Sequence, residues 1–203
     1  MLCPGNTCME SIFERKYILA KAILADAADC IGCRLILVGG TALALFYLQH
    51  RVSVDLDFVP LSGGDVAAAK QALKGCMSKK GYTTQTARWH NQFIVQSETT
   101  SVKVEVFASE EKIGKTEKRI YGGKELLVAS LDDLLKMKIL AFSQRGNARD
   151  LFDVVAILRK TGKSMSFADE LVKKRGIPDD VAELEQMAPD EKILAEFKKV
   201  IGK

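Results

Sequence analysis

Residues 39–58 read GGTALALFYLQHRVSVDLDF. Two glycines precede an apolar run, and the stretch ends in two aspartates one residue apart. The alternation of VSVDLDFVP predicts a strand. It puts Val52, Val54, Leu56 and Phe58 on one face and Ser53, Asp55, Asp57 and Val59 on the other. Strands disfavour Asp, and like charges on one face repel. A strand that carries Asp55 and Asp57 on the same side therefore needs something beside it to offset the repulsion.

Working outward, RLILVG reads as a short buried strand that ends at Gly39-Gly40. TALALFYLQ, apolar almost all round, reads as a buried helix. A helix is predicted from about Glu10 to Ala28, with Ile12, Phe13, Ile18, Leu19, Ile23 and Leu24 as its apolar stripe. Pro60 and the following SGG end the aspartate strand, and an amphipathic helix runs from Asp65 to Lys80, stopped by Gly81. YTTQTARW, NQFIVQ and SVKVEVFAS form a strand meander. In the last of these, Val102, Val104 and Val106 alternate with Lys103, Glu105 and Phe107. A charged, glycine-containing connection is expected over 110–124.

Beyond it the chain reads as helical. Ser130 with Asp133, Asn147 with Asp150 and Ser166 with Asp169 mark three helix starts. Gly176 ends the third helix, and Pro178 and Pro189 sit near the starts of two more. There is no internal repeat. The expected class is α+β: a mixed sheet flanked by helices over residues 1–125, then a helical region over residues 126–203.

Bulk properties narrow the function classes. The chain has 203 residues, 47% hydrophobic and 28% charged, which suits a soluble globular protein of one domain or two small ones. A net charge of +4 permits a polyanionic partner without arguing for one. No apolar run is long enough to span a bilayer, and the first residues carry no secretory pattern; the expected location is the cytoplasm, with no membrane partner. The five cysteines, Cys3, Cys8, Cys30, Cys33 and Cys76, are odd in number and expected as free thiols. CIGC at 30–33 has the spacing of a redox pair or half a zinc site. The expectation is small buried residues at a helix-to-strand junction. His50 and His90, the two histidines, have no serine or cysteine partner in a nucleophile motif, so both read as surface or structural.

Asp55 and Asp57 leave one face of their strand. Glu105 leaves its own strand opposite an apolar valine face. If those strands are neighbours, three carboxylates converge, and a divalent cation reverses the sign of their repulsion. Mg²⁺, or Mn²⁺ in its place, takes oxygen ligands and keeps positions open for substrate phosphates. A strand running through Gly39-Gly40 into a helix presents backbone N–H groups to an anion, and Thr41 adds a hydroxyl. A lone D-x-D commonly caps a turn, and a lone Gly-Gly is commonly just a turn; it is their combination within twenty residues that points to phosphate chemistry.

Gly39-Gly40-Thr41 followed by HRVSVDLDF resembles the signature of the DNA polymerase β-type nucleotidyltransferase superfamily. Within it, GGTAL…R-x-S-x-D-x-D-F is similar to the AbiEii/AbiGii-type nucleotidyltransferases, many of them toxins of toxin–antitoxin pairs. KMKILAFSQRGNARDLFDVVAIL at 136–158 resembles that family's later motif of Lys, then Arg, then Arg/Lys-Asp-x-x-Asp. The resemblance covers roughly residues 30–160. It departs from the family pattern in having Gly-Gly-Thr without a following serine and Glu105 where Asp is more usual.

The resemblance implies a polymerase β-type core, a nucleoside triphosphate substrate, and a metal held by Asp55, Asp57 and Glu105. It implies nucleotide binding by Gly39, Gly40, Thr41, Arg51, Ser53, Lys138 and Arg145, and a catalytic part for Asp150. Read from the residues alone, Asp150 would equally serve the start of a helix, and Asp153 could pair with Arg149. The implied acceptor is tRNA or protein, with an antitoxin as partner. The alternatives are a small-molecule, antibiotic-type nucleotidyltransferase and a non-catalytic nucleotide- or partner-binding module.

Overall fold

Helix α1 (Ile12–Ile31) buries Leu19, Ile23 and Leu24 of the expected stripe together with Ala27 and Ile31, whereas Ile12 and Ile18, also expected in it, are exposed. The computed structural model describes residues 12–31, 34–187 and 189–203; the expected helix start at Glu10 and the cysteines 3, 8 and 33 lie outside them. Strand β1 (Leu35–Val38) is buried at every position, as a strand covered on both faces of its sheet is. It runs straight into α2 (Gly39–Leu43), which continues as a π-helical turn over Ala44–Leu48 and stops at Gln49. The chain returns through residues 49–55 to β2 (Leu56–Pro60).

Helix α3 (Val66–Lys79) follows, its N-terminus capped by Asp65, whose carboxylate accepts from the Ala67 and Ala68 N–H groups. The meander is β3 (Thr83–Thr86), β4 (Gln92–Gln96) and β5 (Ser101–Val106), and the next hairpin is β6 (Thr116–Tyr121) with β7 (Lys124–Ala129). The helical part is α4 (Leu131–Arg145), α5 (Ala148–Thr161), α6 (Ser166–Arg175), α7 (Val181–Glu185) and α8 (Glu191–Val200).

The seven strands form one mixed sheet in the order β3-β4-β5-β2-β1-β7-β6. β1 is antiparallel to β2 and parallel to β7, and β2 is parallel to β5. Helices α1 and α3 pack on each other and on the sheet, while α4 packs on α2 and α5 on the π-helical turn and on α8. One apolar core runs through both parts, from Leu24, Leu37 and Phe58 to Phe142, Phe152 and Phe197.

Three expectations need correction. The strand expected over 52–59 begins only at Leu56, because residues 51–55 are held by side chains and by residue 187 rather than by a strand neighbour. The expected connection over 110–124 contains β6 and the first residue of β7, so the sheet extends to Ala129 and the 125/126 division falls within β7. Cys30 and Cys76 are not free thiols: they form a disulfide joining α1 to α3 across 46 residues. No helix among the described residues is long and apolar enough to cross a membrane.

Candidate active site

The turn between β1 and α2 meets the aspartate strand because Val38 pairs directly with Asp57. Gly39 has φ +73°, a conformation that favours glycine, and a Cβ there would lie 2.3 Å from Asp57 Oδ2. The turn backbone and the carboxylate are thus in direct apposition. A Cβ on Gly40 would meet the Arg51 guanidinium at 2.6 Å and Ser53 Oγ at 2.9 Å. Thr41 is buried, donates to the Asp55 carbonyl (2.5 Å) and sits 3.0 Å from Ser53 Oγ. It fixes the backbone entering β2, and its hydroxyl is not presented to a ligand.

Asp57 lies opposite Glu105 in the parallel β2–β5 pair. Glu105 accepts from Asn91 Nδ2 (2.6 Å) and Gln92 Nε2 (2.9 Å). Lys103, two residues before Glu105 and on the same face, lies 3.2 Å from Asp55 Oδ2. Burial, with the nearby Asp55 and Glu105 charges adding to it, pushes Asp57 up to about 6; Lys103 and Lys138 oppose that rise. An ionised Asp57 is therefore a carboxylate in want of a cation.

The facing wall comes from α4 and α5. Lys138 places its ammonium 2.9 Å from Asp150 and 2.8 Å from Asp153. Arg145 reaches Asp150 through Nε (2.6 Å) and Nη2 (2.9 Å). Asp153, expected as a possible partner of Arg149, instead receives a bidentate pair from Arg51 (2.7 and 2.8 Å) and His50 Nε2 at 2.7 Å. His50 is buried and stacks on Phe152. Burial alone would raise both aspartates. Lys138 and Arg145 more than offset it at Asp150, and Arg51 and Lys138 do so at Asp153, which is held well below the usual carboxylate range. Lys138 in turn is raised by Asp153 and Asp150 against its own burial.

Asp150 and Asp153 stand within a stretch of α5 that is buried without a break from Asp150 to Leu158. Asp150 lies in the first turn of that helix, and the Ala148 N–H at its start is met by Asp180 (2.6 Å). The C-terminal part also reaches the site. The Val52 N–H donates to the Met187 carbonyl (2.8 Å), and the Asp190 N–H to the His50 carbonyl (2.7 Å).

Of the residues to which the family resemblance assigns a catalytic, nucleotide-binding or metal-holding part, all but Thr41 line one of two cavities that share Asp57, Glu105, Lys138 and Arg145. The larger, about 290 Å³, extends over Phe107, Met137 and Leu140. The smaller contains Asp55, Lys103 and Arg149. Arg149 has no ion pair among the described residues, whereas Arg51, Lys138 and Arg145 are each bound to a buried aspartate.

Asp55 and Asp57 fit a divalent cation: two carboxylates, one raised by burial and by the other's charge, supply what Mg²⁺ takes from protein when substrate phosphates and water complete its shell. Glu105 stands differently, each of its oxygens taking an amide hydrogen. Among the described residues no three acidic, histidine or cysteine side chains form a ready-made metal cage.

Sequence reasoning missed Lys103, and it set Asp153 beside Arg149 where the structure pairs it with Arg51, Lys138 and His50. The alternation in SVKVEV carried a signal for the first, since it sets Lys103 on the face of Glu105. For the second, an acid inside the apolar run LFDVVAIL signals a buried charge that must find a partner.

The sequence profile of a family described as nucleotidyl transferase AbiEii toxin, type IV toxin–antitoxin system, matches residues 22–201. No functionally curated sequence matches the chain. Among solved structures, the chain is similar to JHP933 from Helicobacter pylori, with a TM-score of 0.58 and 19% identity over 92% of this chain and 89% of that one. It is similar to an antigenic nucleotidyltransferase-like protein from Paracoccidioides brasiliensis, at 0.52 and 18% over 84% and 92%. It is also similar to the antibiotic-resistance factor ANT(2'')-Ia, at 0.50 and 14% over 85% and 96%. At these identities the likeness is one of fold.

Proposed function

The chain belongs to the AbiEii nucleotidyl transferase toxin family, and on that premise we propose that it is a metal-dependent enzyme moving a nucleotidyl group from a nucleoside triphosphate to a tRNA or protein acceptor, as the toxin of a toxin–antitoxin pair. The observation that carries this reading is the apposition of Gly39 backbone, Asp57 and Glu105, set by the Val38–Asp57 and Asp57–Glu105 pairs.

Asp55 and Asp57 would hold Mg²⁺ or Mn²⁺, which when bound neutralises charge on the transferring phosphoryl group. The Gly39 turn brings backbone against that position with no side chain between. Arg149, free of ion pairs among the described residues, is the cation best placed to meet the triphosphate. Lys138 and Arg145 act chiefly by holding Asp150, and through it the wall on which Arg149 stands. Arg51 and Ser53 hold the cradle's shape behind Gly40. Glu105, oriented by Asn91 and Gln92, is the carboxylate available to accept the acceptor's proton. The helical region over 126–203 completes the site in this reading.

The test is incubation of the full chain with each labelled nucleoside triphosphate, Mg²⁺ and cell extract fractionated into RNA and protein. Label should enter one fraction with wild-type protein and not with Asp57→Asn. Equal labelling by both proteins would refute the reading.

A further inference from the structure

The alternation of SVKVEV sets Lys103 and Glu105 on one face of β5, and the parallel register brings Lys103 level with Asp55, one step beyond the Leu56–Val104 pair. Its ammonium lies 3.2 Å from Asp55 Oδ2, with the two side chains 35% and 37% exposed. No other basic side chain that lines this cavity among the described residues is paired with Asp55: Arg51 and Lys138 are bound to Asp153, and Arg145 to Asp150.

An ammonium on a carboxylate has two effects on a cation that needs the same oxygens. It takes up a lone pair, and it places a positive charge beside the position the cation would fill. The pair is about a third exposed and its lysine stem flexible, so it is weakly held and can be given up. A free divalent ion offers the lysine nothing in exchange. A triphosphate arriving with its metal does, because its oxygens can accept the displaced ammonium.

We propose that Lys103 is a displaceable counter-ion of Asp55, which disfavours binding of free divalent cation and moves onto the nucleotide's phosphates when metal and nucleotide arrive together. Metal then enters with substrate and does not sit in the resting protein. The inference rests on Asp55 and Asp57 being the residues that hold metal.

The experiment is a calorimetric titration of the full chain with Mn²⁺ alone, alongside melting curves in Mg²⁺ with and without each nucleoside triphosphate. Wild type should bind free Mn²⁺ weakly and be stabilised mainly by Mg²⁺ and nucleotide together. Lys103→Met should bind Mn²⁺ alone about tenfold more tightly or better, and Lys103→Arg, which keeps the charge, should behave as wild type. Lys103→Gln repeats the comparison should the methionine variant not fold. Equal Mn²⁺ affinity in wild type and the neutral variants would overturn the role of Lys103, provided Asp57→Asn abolishes the joint metal and nucleotide response. If Asp55→Asn and Asp57→Asn both keep that joint response, it is the metal reading itself that falls, and the role of Lys103 with it.

Discussion

Asp153→Asn isolates the ion cluster that joins the two parts of the chain. The Asp153 side chain is 0% exposed, and its two oxygens serve Arg51, Lys138 and His50. Asparagine keeps the shape and removes the charge, so Arg51, which is only 4% exposed, loses its counter-ion, and Lys138 is left with Asp150 alone. Removing one partner of a buried pair costs about 3–5 kcal/mol. For a chain of this length each kcal/mol moves the melting temperature by about 2–4 °C, so a drop of about 6–20 °C is expected.

The double variant Arg51→Met with Asp153→Asn removes the stranded charge as well and should regain a large part of the loss. The pH dependence is a second check. Asp153 is depressed in the folded protein, so its stabilisation is fully present above the ordinary carboxylate range and is lost as pH falls through the folded value. The gap between wild type and Asp153→Asn should be flat from about pH 5 to 8 and narrow only below about pH 4. A variant melting within about 2 °C of wild type at neutral pH would refute the argument.

Asp57 should show the opposite sign. Its value is raised to about 6, so the stability it contributes is present below about pH 4 and lost as pH rises through 6; Asp57→Asn should exceed wild type by ~1–2 kcal/mol at pH 7 without metal and match it at pH 4, read from urea melts at both pH values. Gly39→Ala combines a left-handed φ with a Cβ 2.3 Å from Asp57 Oδ2; a loss of about 1–3 kcal/mol in melting is expected, together with loss of the metal and nucleotide response. Cys76→Ser, or reduction of the wild type, removes the cross-link between α1 and α3 and should cost about 2–4 kcal/mol, with the bond itself checked by mass spectrometry of unreduced peptides.

Much of the fold was legible where the pattern was local. The period of two in SVKVEV, the period near 3.6 in α1, and the caps Asp65 and Ser130 each decided an element within a few residues. β6 was hidden because TEKRIY, carrying a charge at three of six positions, is an edge strand with no apolar face to announce it. The signal that would have found it is Gly122-Gly123, both with positive φ, joining two strands in a tight hairpin turn.

The early start assigned to β2 failed for a different reason. VSVD alternates like a strand, yet Thr41 and Met187 hold its backbone instead of a neighbouring strand. In the site, Asp55, Asp57 and Glu105 could be read from side-chain direction. The pairing of Arg51 with Asp153 could not, since 102 residues separate them and only the packing of α5 brings them together.

That separation has a consequence for the order in which the protein is made. Asp55, Asp57, the glycine turn and Glu105 have all been synthesised once residue 105 is added, but the segment between turn and strand is held by Asp153, Met187 and Asp190. Until those residues leave the ribosome, Arg51 has no counter-ion and the backbone at 50–52 has no partner from the C-terminal part. A nascent chain stalled at residue 150 should be cut readily by protease around 50–52, whereas the released chain should not. A chain built this way carries its acidic residues from early in translation yet gains the support that orders them only in its final stretch, once residues 153, 187 and 190 have been added.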